Sequence, residues 1–327
     1  MIYNHDYHMS NNGDIYMKKT ITVIVPCYNE EEVIEHFYEV LKSYLIGDYA
    51  YNLLFVNDGS KDNTILKIQH LMQQDSRIKF IDFSRNFGKE SAMYAGLIGA
   101  KKLNSDAAIF MDADLQDPPS LIPEMLTLYE AGNLHIYAKH ASRKNEPRLK
   151  TFFAMMFYRT YTWITKEHEL EKGARDFSLL DRKVIDAFLE IKDHKRFTKG
   201  IFTWVGFEKK CIEFDYLPRH AGKTKWSFKK LFKYAIDGIN QFSQMYKMFA
   251  QLIILLTITA IGIDVSFAIL DKSFNPRWAM FELVILFNFF ILHIVLNVIY
   301  DVKQQVLNRP QYVIKNSNLG NSDEISA

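Results

Sequence analysis

From Thr20 to about Tyr137, short β-branched runs alternate with amphipathic segments. TITVIV, NLLFVN, IKFIDF and AAIFMD are bounded by turn residues and predict strands. Between them, EEEVIEHFYEVLKSYL, DNTILKIQHLMQQ and KESAMYAGLIGAKKL carry apolar residues at helical spacing. Strands alternating with helices build βαβ units with right-handed crossovers, hence an α/β fold with a mostly parallel sheet. Ligands of such sheets sit beyond the carboxyl ends of the strands. Chemistry is therefore expected at Pro26–Glu30, Asn57–Ser60, Ser84–Lys89 and Asp112–Gln116.

Beyond Pro147 the pattern is less regular. KTFFAMMFYRTYTWI and RKVIDAFLEI predict helices, and KKCIEFDYL a strand. Phe228–Met248 sets Phe, Leu and Ile against Lys, the profile of an interfacial helix; an ordinary surface helix is the alternative. Two longer apolar runs follow. Phe249–Leu270 holds a single charged residue, Asp264, and Phe281–Tyr300 a single one, Glu282. Each has about the 20 residues needed to cross a hydrocarbon core of roughly 30 Å, so a membrane hairpin is expected over a pair of buried helices. In such a hairpin Asp264 and Asn288 would lie at similar depth and pair; the alternative is Asp264 reaching water or a headgroup near the interface. Lysines 223, 225, 229, 230, 233 and 247 precede the first run, and Lys303, Arg309 and Lys315 follow the second. The connecting loop offers only Lys272 and Arg277, so both termini are expected in the cytoplasm.

Composition narrows the class. With 14% aromatic and 48% hydrophobic residues, the 327-residue chain is not a disordered protein. Its two cysteines, Cys27 and Cys211, exclude a disulfide scaffold. Lys plus Arg number 40 against 38 for Asp plus Glu, which gives no support to a nucleic-acid binder. The opening residues lack the apolar core of a signal peptide.

The strongest chemical signal is FMDADLQDPP at 110–119. An apolar strand delivers Asp112 and Asp114, which cannot share one face of a continuing strand, so the chain must turn there. Clustered oxygens from Asp112, Asp114 and Gln116 suit a hard cation, Mg²⁺ or Mn²⁺, held together with substrate phosphates. A bare Asp-x-Asp is more often a solvated acidic turn, but this one has company. The first strand exits through Pro26, Tyr28 and Glu30, the second through Asp58 and Gly59, and the third leads to Arg85 and Lys89 at a helix start. Cys27 has no histidine partner nearby in sequence and reads as a packed thiol.

These segments resemble glycosyltransferase family 2, and within it the polyprenyl-phosphate glycosyltransferases. The resemblance is carried by VIVPCYNEEE, FVNDGSKDNT, SRNFGKESAMYAGL, MDADLQDPPSLIPEM, RDFSLLDRKV, RFTKGIFTWVGF, RHAGKTKWSFKKL and NRPQYVI, over about residues 18–315. It implies a GT-A nucleotide-sugar-binding fold over 18–217, after a disordered extension at 1–17. A mobile loop and amphipathic interface helix would fill 218–248, two transmembrane helices 249–300 and a cytoplasmic tail 301–327. Pro26, Tyr28, Glu30, Val56 and Asp58 would line the base and ribose. Asp112, Ala113, Asp114 and Gln116 would hold metal and diphosphate, with Asp114 catalytic, and Arg219 and Lys225 would close over the phosphates. Asp176 would be the base or a positioning residue.

The implied reaction moves a sugar, with inversion, from a nucleotide sugar to a polyprenyl phosphate at the membrane, for cell-wall or surface-glycan decoration. UDP-glucose or UDP-GlcNAc is favoured as donor, and a homo-oligomer stays compatible with the sequence. The alternatives are a direct polysaccharide transferase and a membrane-anchored nucleotide-sugar-binding protein with lost turnover. Three positions depart from the family pattern. His140 and Ser178 stand where arginines are usual, and Leu296-Asn297-Val298 where Gly-Glu-Tyr is usual. Arg143, Arg148 and Arg175 are the nearby arginines that could compensate.

Overall fold

The computed structural model describes residues 7–9, 15–141, 156, 159, 161–162, 171, 173–193, 195–215, 235–239, 241–242, 245–270, 277–307 and 309–320. A short antiparallel ribbon, β1 (Tyr7–Met9) with β2 (Ile15–Met17), precedes the main body. The body begins with β3 (Lys19–Cys27), α1 (Ile34–Lys42), β4 (Tyr49–Asn57), α2 (Thr64–Gln74), β5 (Ile78–Phe83) and α3 (Lys89–Lys102). It continues with β6 (Ala107–Phe110), α4 (Ile122–Glu130), β7 (His135–His140), β8 (Ala174–Asp181), α5 (Arg182–Glu190), α6 (Thr198–Trp204) and β9 (Lys209–Phe214). After it come α7 (Met245–Leu270), α8 (Arg277–Val306) and β10 (Ile314–Ser317).

Among the described residues the main sheet has eight strands in the order β10-β5-β4-β3-β6-β8-β7-β9. The expected parallel unit is its centre, with β3 parallel to β4 and β6, and β4 parallel to β5. The sheet is nonetheless mixed. β8 runs antiparallel between β6 and β7, and β10 antiparallel on β5. Ile21, Val23 and Val25 of β3 face one core with α1, α2 and α4, whereas Ile24 faces a second core with α3, α5 and α6. Covered on both faces, β3 and β4 are apolar almost throughout, as parallel strands must be. Helix α3 lies especially close to the sheet. A Cβ on Gly96 would come 2.2 Å from Ile24 Cγ2, so only glycine permits the approach.

Most of the predicted KTFFAMMFYRTYTWI helix and all of the loop at 216–234 lie outside the described residues. The two apolar runs form α7 and α8, which lie side by side. Within α8, the 24-residue stretch Leu283–Val306 contains an 18-residue window whose mean hydropathy is 2.4 and of which 6% is buried. By length and composition it can cross a membrane. It is the one described segment that passes this test; in α7 the apolar stretch so described is Phe249–Ala260. Asn288 turns its amide back onto Val284 O of its own helix, at 2.7 Å. The side chain of Asp264, its expected partner, lies outside the described residues.

Candidate functional site

The ends of β3 and β4 are laced together. Asn29, in the left-handed region at φ 52°, receives Lys61 N on its Oδ1 and donates its own N–H to Ser60. Glu30 N donates to Thr64 Oγ1, and Asn63 N to Glu31. Gly59 (φ 63°) brings this turn against the loop after β5; a Cβ there would sit 2.3 Å from the Arg85 carbonyl carbon.

Asp58 is the strut of that junction. Its carboxylate accepts Phe87 N at 2.6 Å, Gly88 N at 2.9 Å and Asn86 Nδ2 at 2.8 Å. Burial pushes its carboxyl up to about 6, against the pull of the two backbone donors. Pro26, Tyr28 and Glu30 are half-buried around the same strand ends. The Val56 side chain is wholly buried in the α3-side core, which leaves only its main chain toward the strand ends.

At the end of β6 the chain turns through the acidic motif, with Leu115 in the left-handed region at φ 57°. Gln116 N donates to Asp114 Oδ1 at 3.1 Å. Asp112 is partly exposed, and Ala113 and Asp114 are buried. Lys89, the first residue of α3, reaches across with its ammonium 2.8 Å from Asp112 and 2.6 Å from Asp176. Asp176 lies on β8, the strand paired with β6, so the antiparallel insertion places it beside the acidic turn. Lys199 Nζ is 3.7 Å from Asp176 on its other side and donates to Ala174 O at 2.7 Å. Burial opposes the charge on Asp176, but Lys89 and Lys199 outweigh it and hold the carboxyl well below the usual carboxylate range.

The donor chemistry of Asp112, Asp114 and Gln116 fits a hard divalent cation. Among the described residues no three His, Cys, Asp or Glu side chains converge as a metal cage. An ion of the Mg²⁺ type takes one or two carboxylates and would complete its shell with water and substrate phosphate.

Arg175 is committed elsewhere. Its Nε donates to Asp117 at 2.8 Å, and Asp117 is 1% exposed, so this arginine braces the acidic turn. Arg143, Arg148, Arg219 and Lys225 lie outside the described residues. The Cys27 thiol is buried and donates to Val25 O.

From Asp176 a cavity of about 40 Å³ runs beneath α6 along the sheet face, past Ser178 and Lys199 to Lys209 and His135. Lys209 donates to Thr203 Oγ1 at 2.8 Å, and among the described residues no carboxylate lies within ion-pairing distance of it. Burial pulls its pKa below the ordinary lysine value. His135 is 4% exposed, and its Nδ1 has no hydrogen-bond partner among the described residues. Sequence reasoning did not single out Lys199, Lys209 or His135 as site residues. Lys199 stands in RFTKGIFTWVGF, which carried the resemblance, but the other two are lone residues until the sheet order brings β7 and β9 together.

The model of the glycosyl transferase family 2 domain matches residues 22–189. An uncharacterized glycosyltransferase of Synechocystis sp. is 36% identical over 314 residues, covering 90% of this chain and 94% of its own. The bactoprenol glucosyl transferase of Shigella phage SfII is 34% identical over 310 residues, covering 92% and 99%. Glucosyl-3-phosphoglycerate synthase from Mycobacterium tuberculosis, solved with Mn²⁺, UDP-glucose and phosphoglyceric acid, aligns at a TM-score of 0.43. Its identity is 17%, over 67% of this chain and 76% of that one.

Proposed function

The chain belongs to glycosyl transferase family 2, and from that premise we propose that it transfers a sugar from a UDP-sugar, UDP-glucose or UDP-GlcNAc, to undecaprenyl phosphate at the cytoplasmic membrane face. The product would serve cell-wall or surface-glycan decoration. The observation that carries this reading is the meeting of Lys89, Asp112 and Asp176 at the strand ends. Near-complete coverage of a bactoprenol glucosyl transferase supports a polyprenyl phosphate as acceptor.

An acceptor phosphate oxygen forms a bond to the anomeric carbon as the bond from that carbon to the UDP oxygen breaks. The single displacement inverts the anomeric centre and leaves UDP. Pro26, Tyr28, Glu30, the Val56 main chain and Asp58 line the base and ribose, and Arg219 and Lys225 close over the phosphates. Asp112, Asp114 and Gln116 would hold Mg²⁺ or Mn²⁺, which supplies positive charge for the departing diphosphate. The acceptor's second pKa is near 6 by analogy with phosphate monoesters, so no strong base is required. Asp176, kept ionised by two lysines, is a weak proton acceptor and serves to position Lys89 and Lys199. These lysines, with Lys209 deeper in the cavity, receive the acceptor phosphate, and α7 and α8 anchor the domain as a membrane hairpin.

The test is to incubate purified full-length protein with undecaprenyl phosphate and labelled UDP-glucose, UDP-GlcNAc, UDP-galactose or GDP-mannose, then extract the lipid. Label from one UDP-sugar in the lipid phase is expected; no lipid-phase label from any donor rejects the reading.

A further inference from the structure

The chain does not end its structural work at α8. Asp301 of that helix pairs with Lys195 at 2.7 Å, and Gln311 Nε2 donates to Asp193 O at 2.8 Å. The segment then enters the body. Val313 O accepts Ser84 N at 2.9 Å, and β10 adds to the edge of β5 with Ile314 opposite Phe83. Between these anchors Tyr312 is wholly buried, stacked on Phe83 with ring centroids 4.7 Å apart and planes 15° apart. It also meets the Tyr94 ring of α3 edge-on at 6.5 Å.

Phe83 carries this contact toward the site. Its other neighbour is Phe87, edge-on at 5.8 Å. The Phe87 and Gly88 amides are the backbone donors to Asp58, and the next residue is Lys89. Ser91 Oγ, in the first turn of α3, lies 3.2 Å from both Phe87 O and Gln311 O. The turn Asn86–Lys89 is thus held from one side by Asp58 and backed from the other by the tail. Interior packing resists small displacements, so a shift of the tail is felt at the turn.

We propose that Tyr312 is a positioning residue for the donor site: through Phe83 and Phe87 it sets the Asn86–Lys89 turn, and so the placement of Asp58 and Lys89. The proposal rests on reading those two as donor-site groups. It also makes the segment after α8 the link by which that helix fixes the geometry of the nucleotide cleft.

The experiment uses full-length protein in detergent with Tyr312→Phe, Tyr312→Leu, Tyr312→Ala and the control Asn318→Ala. Asn318 pins the far end of β10 through Phe80 N and Ile78 O, remote from the turn. UDP affinity is titrated, KM for the UDP-sugar is separated from kcat, and hydrogen exchange is followed at residues 86–90. Tyr312→Phe, which keeps the ring stack on Phe83, should stay closer to the wild type in UDP affinity and in exchange at 86–90 than Tyr312→Leu does. Tyr312→Leu, which keeps an apolar plug, should weaken UDP binding roughly tenfold, inside the range that a displacement of about 1 Å can cost. It should also speed exchange at 86–90, while Asn318→Ala lowers Tm and moves neither readout. If Tyr312→Ala does not fold, the leucine variant decides. Unchanged affinity and exchange in Tyr312→Leu, or equal effects in Asn318→Ala, would overturn the proposal. If the wild type binds no UDP, the functional reading fails and exchange decides alone: faster in Tyr312→Leu only upholds the link, unchanged refutes it.

Discussion

Lys89 donates to Asp176 at 2.6 Å and so ties the start of α3 to β8, two elements 87 residues apart in the chain. Because the same ammonium also meets Asp112, one cation neutralises a carboxylate of the acidic turn and one of β8. A substrate diphosphate with its metal would compete for Asp112 and leave Lys89 to Asp176.

Asp176→Asn separates positioning from proton transfer. The two lysines keep the wild-type carboxyl ionised over the working pH range, so the acid limb of the rate profile, where the acceptor phosphate and Asp58 both titrate near 6, should not belong to it. The variant should lose roughly a hundredfold in kcat, as misplaced catalytic groups do, with that limb unmoved. Disappearance of the acid limb would make Asp176 the base.

The metal reading predicts that Asp114→Ala lowers transfer by at least about a hundredfold. EDTA should abolish activity, with recovery on adding Mg²⁺ or Mn²⁺. Undiminished turnover of the wild type after exhaustive chelation, measured as lipid-linked label, is the outcome that excludes it.

Much of the parallel half of the sheet was legible because its signals are local. TITVIV, NLLFVN and IKFIDF appear as β3, β4 and β5, each extended or kept in length, and the acidic motif turns where two alternating carboxylates require it. Lys89 stands at the predicted helix start, and the fold sets its ammonium between Asp112 and Asp176. The antiparallel half was not legible, because it depends on tertiary order. RDFSLLDRKV was visible as a motif, yet nothing in it says that the strand runs antiparallel between β6 and β7. The four residues of β10, IKNS, are too short and too polar to announce a strand, and the burial of Tyr312 follows only from that pairing. His135 and Lys209 become neighbours through the β7–β9 register alone.

The cavity beneath α6 gives a test of the acceptor side. Lys199→Gln and Lys209→Gln should each raise KM for undecaprenyl phosphate, by roughly tenfold for loss of a charge-assisted hydrogen bond, with UDP affinity kept. Arg175→Gln should behave differently, because it leaves Asp117 buried without its partner, and should lower Tm first. Equal loss of UDP binding in the lysine variants would assign them to the donor or to the fold.

His135 makes stability depend on pH in a direction that can be worked out. Burial, with the Lys209 charge beside it, pulls the imidazole down to about 3 in the folded chain, against 6.5 for an ordinary histidine. The folded state therefore keeps it neutral while the unfolded state takes up a proton. Its contribution is fully present above pH 6.5 and is lost as pH falls from there toward 3, at up to about 1.4 kcal/mol per pH unit. Asp58, raised to about 6, acts in the opposite sense over part of that range, so the wild-type curve alone is ambiguous. Comparison with His135→Phe isolates the term, since the new ring keeps the packing against Phe202, 5.1 Å away, and cannot titrate. Thermal unfolding of the full-length protein in detergent should show the gap between the two proteins shifting by about 2 kcal/mol in favour of the variant from pH 7 to pH 5. A gap that stays constant across that interval would mean that His135 is protonated in the folded chain, with its Nδ1 satisfied.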